Sequence, residues 1–247
     1  MIETEIDIET ADGLMNTFVV KPDGGEELPL VVVLMDASGV RDELRSISRR
    51  IAQAGYVVAL PNLYYRAARV FDSGVLDSTA QGAVNMKRML DMLALISASG
   101  VMADVASLLD QAPFRVGCGD GKVGLVGYCV SGSFVTLAAA SFPSQVGCFA
   151  SFYGTRLVTD APDSPHKLMG AITAEGYFAF GADDAFIPLE DVVKLREAVA
   201  VAGCRAPIDV VSGAQHNFVF TDRGTLLDHA RESHFERILD LCRRNLS

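Results

Sequence analysis

The stretch from Lys122 to Phe134 leaves this chain few folds to choose from. Residues 123–126 form an apolar run of strand character, Gly127 breaks it, Cys129 presents one polar atom, and small and apolar residues over 131–140 resume as a helix. Glycines at 127 and 132 flank a sharp strand-to-helix turn, which would hold Cys129 in a strained conformation with its thiol outward. That is a nucleophile elbow with sulfur in place of oxygen. A thiol at a helix N-terminus meets the positive end of the helix, which favours the thiolate.

The segments on either side read as the rest of an α/β sheet. Residues 2–20 alternate apolar and polar around Ala11-Asp12-Gly13, a turn signal, and predict an antiparallel pair of strands. Residues 29–35 are continuously apolar, as in a strand buried on both faces, and run into Asp36-Ala37-Ser38-Gly39, a loop on the edge of the sheet where ligands bind. Leu44, Ile47, Ile51 and Ala54 make the apolar stripe of a helix over 42–54, stopped by Gly55, and a second buried strand follows over 56–60. Further on, Met86, Met89, Leu90, Leu93 and Ile96 form one helical stripe, and Val101, Val105, Leu108 and Leu109 another after Gly100. Both stripes are expected to pack on the sheet, and the irregular segment 66–81 is a candidate flap. Beyond the elbow, strands are predicted at 147–153, 176–181 and 207–212, and helices at 189–202 and 226–246. Such alternation implies a mainly parallel central sheet with helices on both faces. No linker or composition break divides the 247 residues, so one domain spanning 1–247 is expected.

Composition narrows the partners. A net charge of -10 without a basic cluster argues against nucleic acid, whose phosphates demand Lys and Arg. The first nine residues are acidic where a signal peptide would be basic, and no apolar run approaches the ~20 residues of a membrane span. We therefore expect a cytoplasmic protein with no membrane partner, monomeric or a small homo-oligomer. Five cysteines without a CxxC spacing suggest neither a disulfide framework nor a zinc site, so no metal or cofactor is called for.

A thiol nucleophile needs a base, and the base needs a third group to fix its tautomer. Cys129, Asp184 and His216 supply these in the order nucleophile, acid, base, each just after a predicted strand. Asp183 competes for the acid role, and Asp184 could serve instead as a cap for the helix beyond Pro188. His166, His229 and His234 are read as exposed, and Cys118, Cys148, Cys204 and Cys242 as structural.

Four motifs together, Gly127-Tyr128-Cys129-Val130-Ser131-Gly132, Gly181-Ala182-Asp183-Asp184-Ala185-Phe186-Ile187-Pro188, Gln215-His216-Asn217-Phe218 and Pro61-Asn62-Leu63-Tyr64, resemble the dienelactone hydrolase (carboxymethylenebutenolidase) family. This is a cysteine branch of the α/β-hydrolase fold, and the resemblance runs over roughly the whole chain. It implies Cys129 as nucleophile, His216 as base, Asp184 as its carboxylate, and an oxyanion hole from the N–H groups of Ala37 and Val130. Asp36 would stand where the family keeps a Glu that pairs with the resting thiol, one methylene shorter. Tyr64, Arg66 and Phe218 are the candidate substrate-binding residues. The arginines with which the family grips a substrate carboxylate have no secure counterpart here, Arg223 coming later than expected and Gln81 standing near the other, with Arg66, Arg69 and Arg88 as substitutes from the flap. The expected function is cysteine-dependent hydrolysis of a small ester or lactone through a thioester acyl-enzyme. The alternative is a catalytically weak binding or interaction module on the same fold.

Overall fold

A computed structural model describes residues 1–24 and 27–246. The chain forms two compact units, Met1–Asp120 and Gly121–Ser247. In the first, β1 (Ile2–Thr10) and β2 (Gly13–Lys21) form the antiparallel hairpin expected from their alternation, with Thr10 opposite Gly13 at the turn. β3 (Leu30–Leu34) and β4 (Val57–Pro61) pair in parallel across the helix α1 (Asp42–Ala52), and β4 pairs antiparallel with β2, giving the order β1-β2-β4-β3. Every residue of β3 and β4 is buried, which is why their sequences run apolar without alternation. Leu44, Ile47 and Ile51 of α1 are fully buried, as their spacing requires.

Two helices close this unit, α2 (Ala80–Leu93) and α3 (Ala98–Arg115). The second stripe packs as expected: Val101, Val105, Leu108 and Leu109 of α3 are buried. The helix starts earlier than expected, because the Ser97 hydroxyl accepts from the Gly100 N–H and so places Gly100 inside the first turn. The first stripe packs only in part, with Met89, Leu93 and Ile96 half-buried. Leu90 is 52% and Met86 36% exposed, and the buried residues of α2 are Gly82 and Asn85. The helix is fastened by its polar side: the Asn85 amide donates to the Val75 carbonyl at 2.8 Å, and a Cβ on Gly82 would lie 2.2 Å from the Asp77 carbonyl oxygen. Within residues 66–81, then, the later part anchors α2, and the earlier part is tied down by Arg66.

The second unit is an unbroken parallel alternation: β5 (Val123–Tyr128), α4 (Val130–Ser141), β6 (Val146–Phe152), a 3-10 turn (Pro165–Ala171), β7 (Glu175–Gly181), α5 (Leu189–Ala202), β8 (Ile208–Val211) and α6 (Asp228–Asn245). Its strands lie in the order β5-β6-β7-β8. β5 and β6 are buried throughout, and so is α4 up to Ala139: it carries no charged residue, and the Ser133 and Thr136 hydroxyls donate back to the Val130 and Gly132 carbonyls. Gly203, at φ 65, ends α5 in the left-handed conformation that glycine adopts without penalty. Among the described residues, no single helix is long and apolar enough to cross a membrane.

Candidate active site

The strand β5 ends at Tyr128 and α4 begins at Val130, so the whole reversal falls on Cys129, at φ 53 and ψ -120. A non-glycine residue there carries strain of about 1–3 kcal/mol, which only surrounding contacts can hold in place. Those contacts are on both sides of the residue: its N–H donates to the Phe152 carbonyl at 3.1 Å, and its carbonyl accepts from the N–H groups of Gly132 and Thr155, both at 3.0 Å. The flanking glycines are required by space. A Cβ at 127 would lie 2.3 Å from the Ser131 carbonyl oxygen, and one at 132 would lie 2.4 Å from both the Gly154 Cα and the Ser151 Oγ. Cys129 remains partly exposed, whereas Cys118, Cys148 and Cys242 are buried. Burial pushes the Cys118 and Cys204 thiols up, and a hydrogen bond with Cys242 together with burial does so for Cys148.

Asp184 lies in the turn after β7, and His216 in the loop after β8. The His216 Nδ1 lies 2.7 Å from Asp184 Oδ2, and the other carboxylate oxygen accepts the Phe186 N–H at 2.8 Å. The acid that meets the histidine is thus Asp184, while Asp183 is exposed. With Nδ1 committed, the ring offers Nε2 to its other hydrogen-bonding neighbour, Cys129. The imidazole stands edge-on to Tyr153 at 5.0 Å and is covered on the other side by Phe186 at 4.9 Å, which keeps it 8% exposed. Burial works against the charged ring, but hydrogen bonds with Asp184 and Cys129 outweigh it and lift the His216 pKa to about 9. Tyr153 and Phe186 drew no notice in the sequence, where aromatics beside a strand end read as core.

Asp36 lies in the loop after β3 with its carboxylate in a buried ion pair with Arg41. The partner within its own unit is thus the Arg41 guanidinium. Its signal was the five-residue spacing across the Gly39 turn, where φ is 90 and a Cβ would lie 2.3 Å from the Phe71 carbonyl oxygen. Ala37 follows, and its carbonyl accepts the Tyr64 hydroxyl at 2.8 Å. Val130 supplies one of the first-turn N–H groups of α4, which have no acceptor within the helix.

The candidate substrate-binding residues are occupied otherwise. Arg66 makes a bidentate pair with Asp104, at 2.7 and 2.9 Å, and its Nε donates to Asp12 at 2.8 Å, so the guanidinium is committed to the unit's own framework. The same carboxylate accepts the Tyr65 hydroxyl, and burial with that bond pushes the phenol up to about 12. Tyr64 and Phe218 are each 1% exposed; Tyr64 fastens the Ala37 loop, and Phe218 packs edge-on to Tyr153 at 5.3 Å. His234, read as exposed, is buried in α6 with its Nε2 2.7 Å from the Tyr128 hydroxyl. His166 is half-buried with its Nδ1 2.8 Å from the Ser164 hydroxyl, and His229 is exposed. Among the described residues, no cluster of three or more His, Cys, Asp or Glu side chains is placed to hold a metal ion.

Residues 15–246 match the sequence model of the dienelactone hydrolase family. A Synechocystis sp. protein provisionally named carboxymethylenebutenolidase is 27% identical over 232 residues, 93% of this chain and 91% of its own. The carboxymethylenebutenolidase of Rhodococcus opacus is 28% identical over 196 residues, 76% of this chain and 69% of its own. In fold, the chain is similar to the crystal structure of a provisionally assigned dienelactone hydrolase from Klebsiella pneumoniae, with a TM-score of 0.83 at 24% identity over 97% of each chain. These establish the α/β-hydrolase fold with its mostly parallel sheet.

Proposed function

The chain belongs to the dienelactone hydrolase family of carboxylic ester hydrolases, and from that premise we propose that it hydrolyses a small ester or lactone with Cys129 as nucleophile, through a thioester acyl-enzyme. The observation that carries this reading is the continuous relay from a strained, partly exposed Cys129 through His216 to Asp184. The likeness over nearly the full chain supports a single α/β-hydrolase domain.

His216 takes the Cys129 proton on Nε2 while Asp184 holds Nδ1. The Cys129 thiolate attacks the carbonyl carbon, and the displaced electron pair goes to the carbonyl oxygen. The Val130 N–H, with that of Ala37 as the second donor implied by the family resemblance, stabilises this oxyanion. Collapse breaks the carbon–oxygen bond, and His216 Nε2 gives its proton to the departing oxygen. The neutral ring then takes a proton from the water that attacks the thioester, and the second collapse expels the thiolate and releases the acid. Asp184 keeps Nδ1 committed throughout, so Nε2 is the atom that works.

Asp36 is given a framework role in this scheme. Its carboxylate is paired with Arg41, and the thiol's partner in this scheme is His216.

The test is a panel of p-nitrophenyl acetate, acyl thioesters and simple lactones. Turnover should fall by roughly 10²–10⁴ in His216→Ala and to a similar extent or further in Cys129→Ser. Turnover at full rate in either variant would refute the mechanism.

A further inference from the structure

We propose that His234 is a positioning residue for the nucleophile, acting through Tyr128 to hold the strained elbow in register with His216. This rests on the functional reading above and names a determinant of the same site.

Tyr128 is the residue immediately before Cys129, fully buried, and its hydroxyl lies 2.7 Å from His234 Nε2, reaching across 106 residues of sequence to α6. The His234 ring stands edge-on to Phe152 at 4.4 Å, and Phe152 accepts the Cys129 N–H through its carbonyl. The Tyr128 ring in turn stacks on Phe152 at 5.7 Å and lies 6.1 Å from Tyr153, whose ring is the edge-on neighbour of His216. One buried imidazole therefore braces the residue before the nucleophile, the carbonyl that holds its N–H, and, through Tyr153, the base.

Two phenylalanines would fill this space without desolvating any polar atom. A buried phenol and imidazole gain little net stability from their mutual bond, since both surrender hydrogen bonds to water. What such a bond provides that apolar packing does not is direction. A hydrogen bond fixes the angle of the strand end at the point where the chain turns into φ 53, and a thiol displaced by about 1 Å there loses its geometry toward His216.

Tyr128→Phe removes the hydroxyl and leaves the ring; His234→Leu removes the partner; His234→Gln keeps a group able to bond the phenol. Two rates are measured well below each variant's melting temperature: iodoacetamide alkylation of Cys129 and ester turnover. Tyr128→Phe and His234→Leu should each lower kcat and the alkylation rate about tenfold with KM within about twofold, and His234→Gln should recover most of the loss. The double variant Tyr128→Phe/His234→Leu should be no slower than either single one, because both delete the same bond. Wild-type rates in Tyr128→Phe with only a lowered melting temperature, additive losses in the double variant, or no recovery in His234→Gln would overturn the proposal. If wild-type protein is alkylated at Cys129 yet hydrolyses no ester, the functional reading fails separately, and the alkylation series still decides the role of His234.

Discussion

His216 carries the protein's most informative titration. Its folded pKa near 9 lies above the ordinary 6.5, so the stability it contributes is complete below pH 6.5 and is lost as pH rises through 9. Melting temperature should fall across that window, and the fall should be missing in His216→Ala. The Asp36–Arg41 pair predicts a different pattern. Removing the acid as Asp36→Asn strips a buried guanidinium of a charged partner, which costs on the order of 3 kcal/mol of stability by urea unfolding. The pH profile of Cys129 alkylation should stay as it was; a shift of that profile toward lower pH would restore Asp36 as the thiol's own acid. The meeting of Asp184 with His216 was legible because both lie in turn-forming stretches beyond strand ends, and the Cys129 elbow because glycines flank it. Roles at 41 and 234 were not legible, since a buried arginine or histidine differs from a solvated one only by partners distant in sequence or across a turn. The arginines near the flap show the same limit: Arg66 resembled a substrate ligand until Asp104 and Asp12 were seen to hold it.

The helices show where periodicity informs and where it fails. In α3 the stripe of valines and leucines faces inward, but in α2 Met86 and Leu90 of an equally regular stripe are exposed and Met89 and Leu93 only half-buried. Helical spacing identifies a face without saying what covers it, and in α2 the anchor is polar: Asn85 on Val75, with Thr79 capping the first turn. Substituting these faces should separate the cases. Leu108→Ala in α3 should cost about 2–5 kcal/mol in urea unfolding, while Leu90→Glu in α2 should change stability by less than about 0.5 kcal/mol. A large loss from Leu90→Glu would mean that α2 is covered in solution by something the isolated chain does not show. The strands were easier to read, because β3 and β5 are buried on both faces and so carry runs free of charged side chains up to the turns that follow.

For the whole molecule, the alternation of strands and helices sufficed to read an α/β fold, and four short motifs sufficed to read the family, because their spacing along the chain places each just after a strand. The substrate was not legible, since its contacts depend on which side chains remain uncommitted once the framework is built, and the three named for that purpose are committed to it. At the scale of the chain, one thiol should be chemically distinct from the other four. Cys118, Cys148 and Cys242 are buried, and Cys204 is raised by burial without an elbow or a histidine beside it. The most direct test is therefore intact-protein and peptide mass spectrometry of the full-length protein, quenched in acid within a single turnover of p-nitrophenyl acetate. The account predicts one acetyl group per chain, carried as a thioester on the Cys129 peptide, formed and discharged at rates consistent with turnover. Hydrolysis with no acetyl on Cys129 at any time, or with the acetyl on another residue, would contradict it.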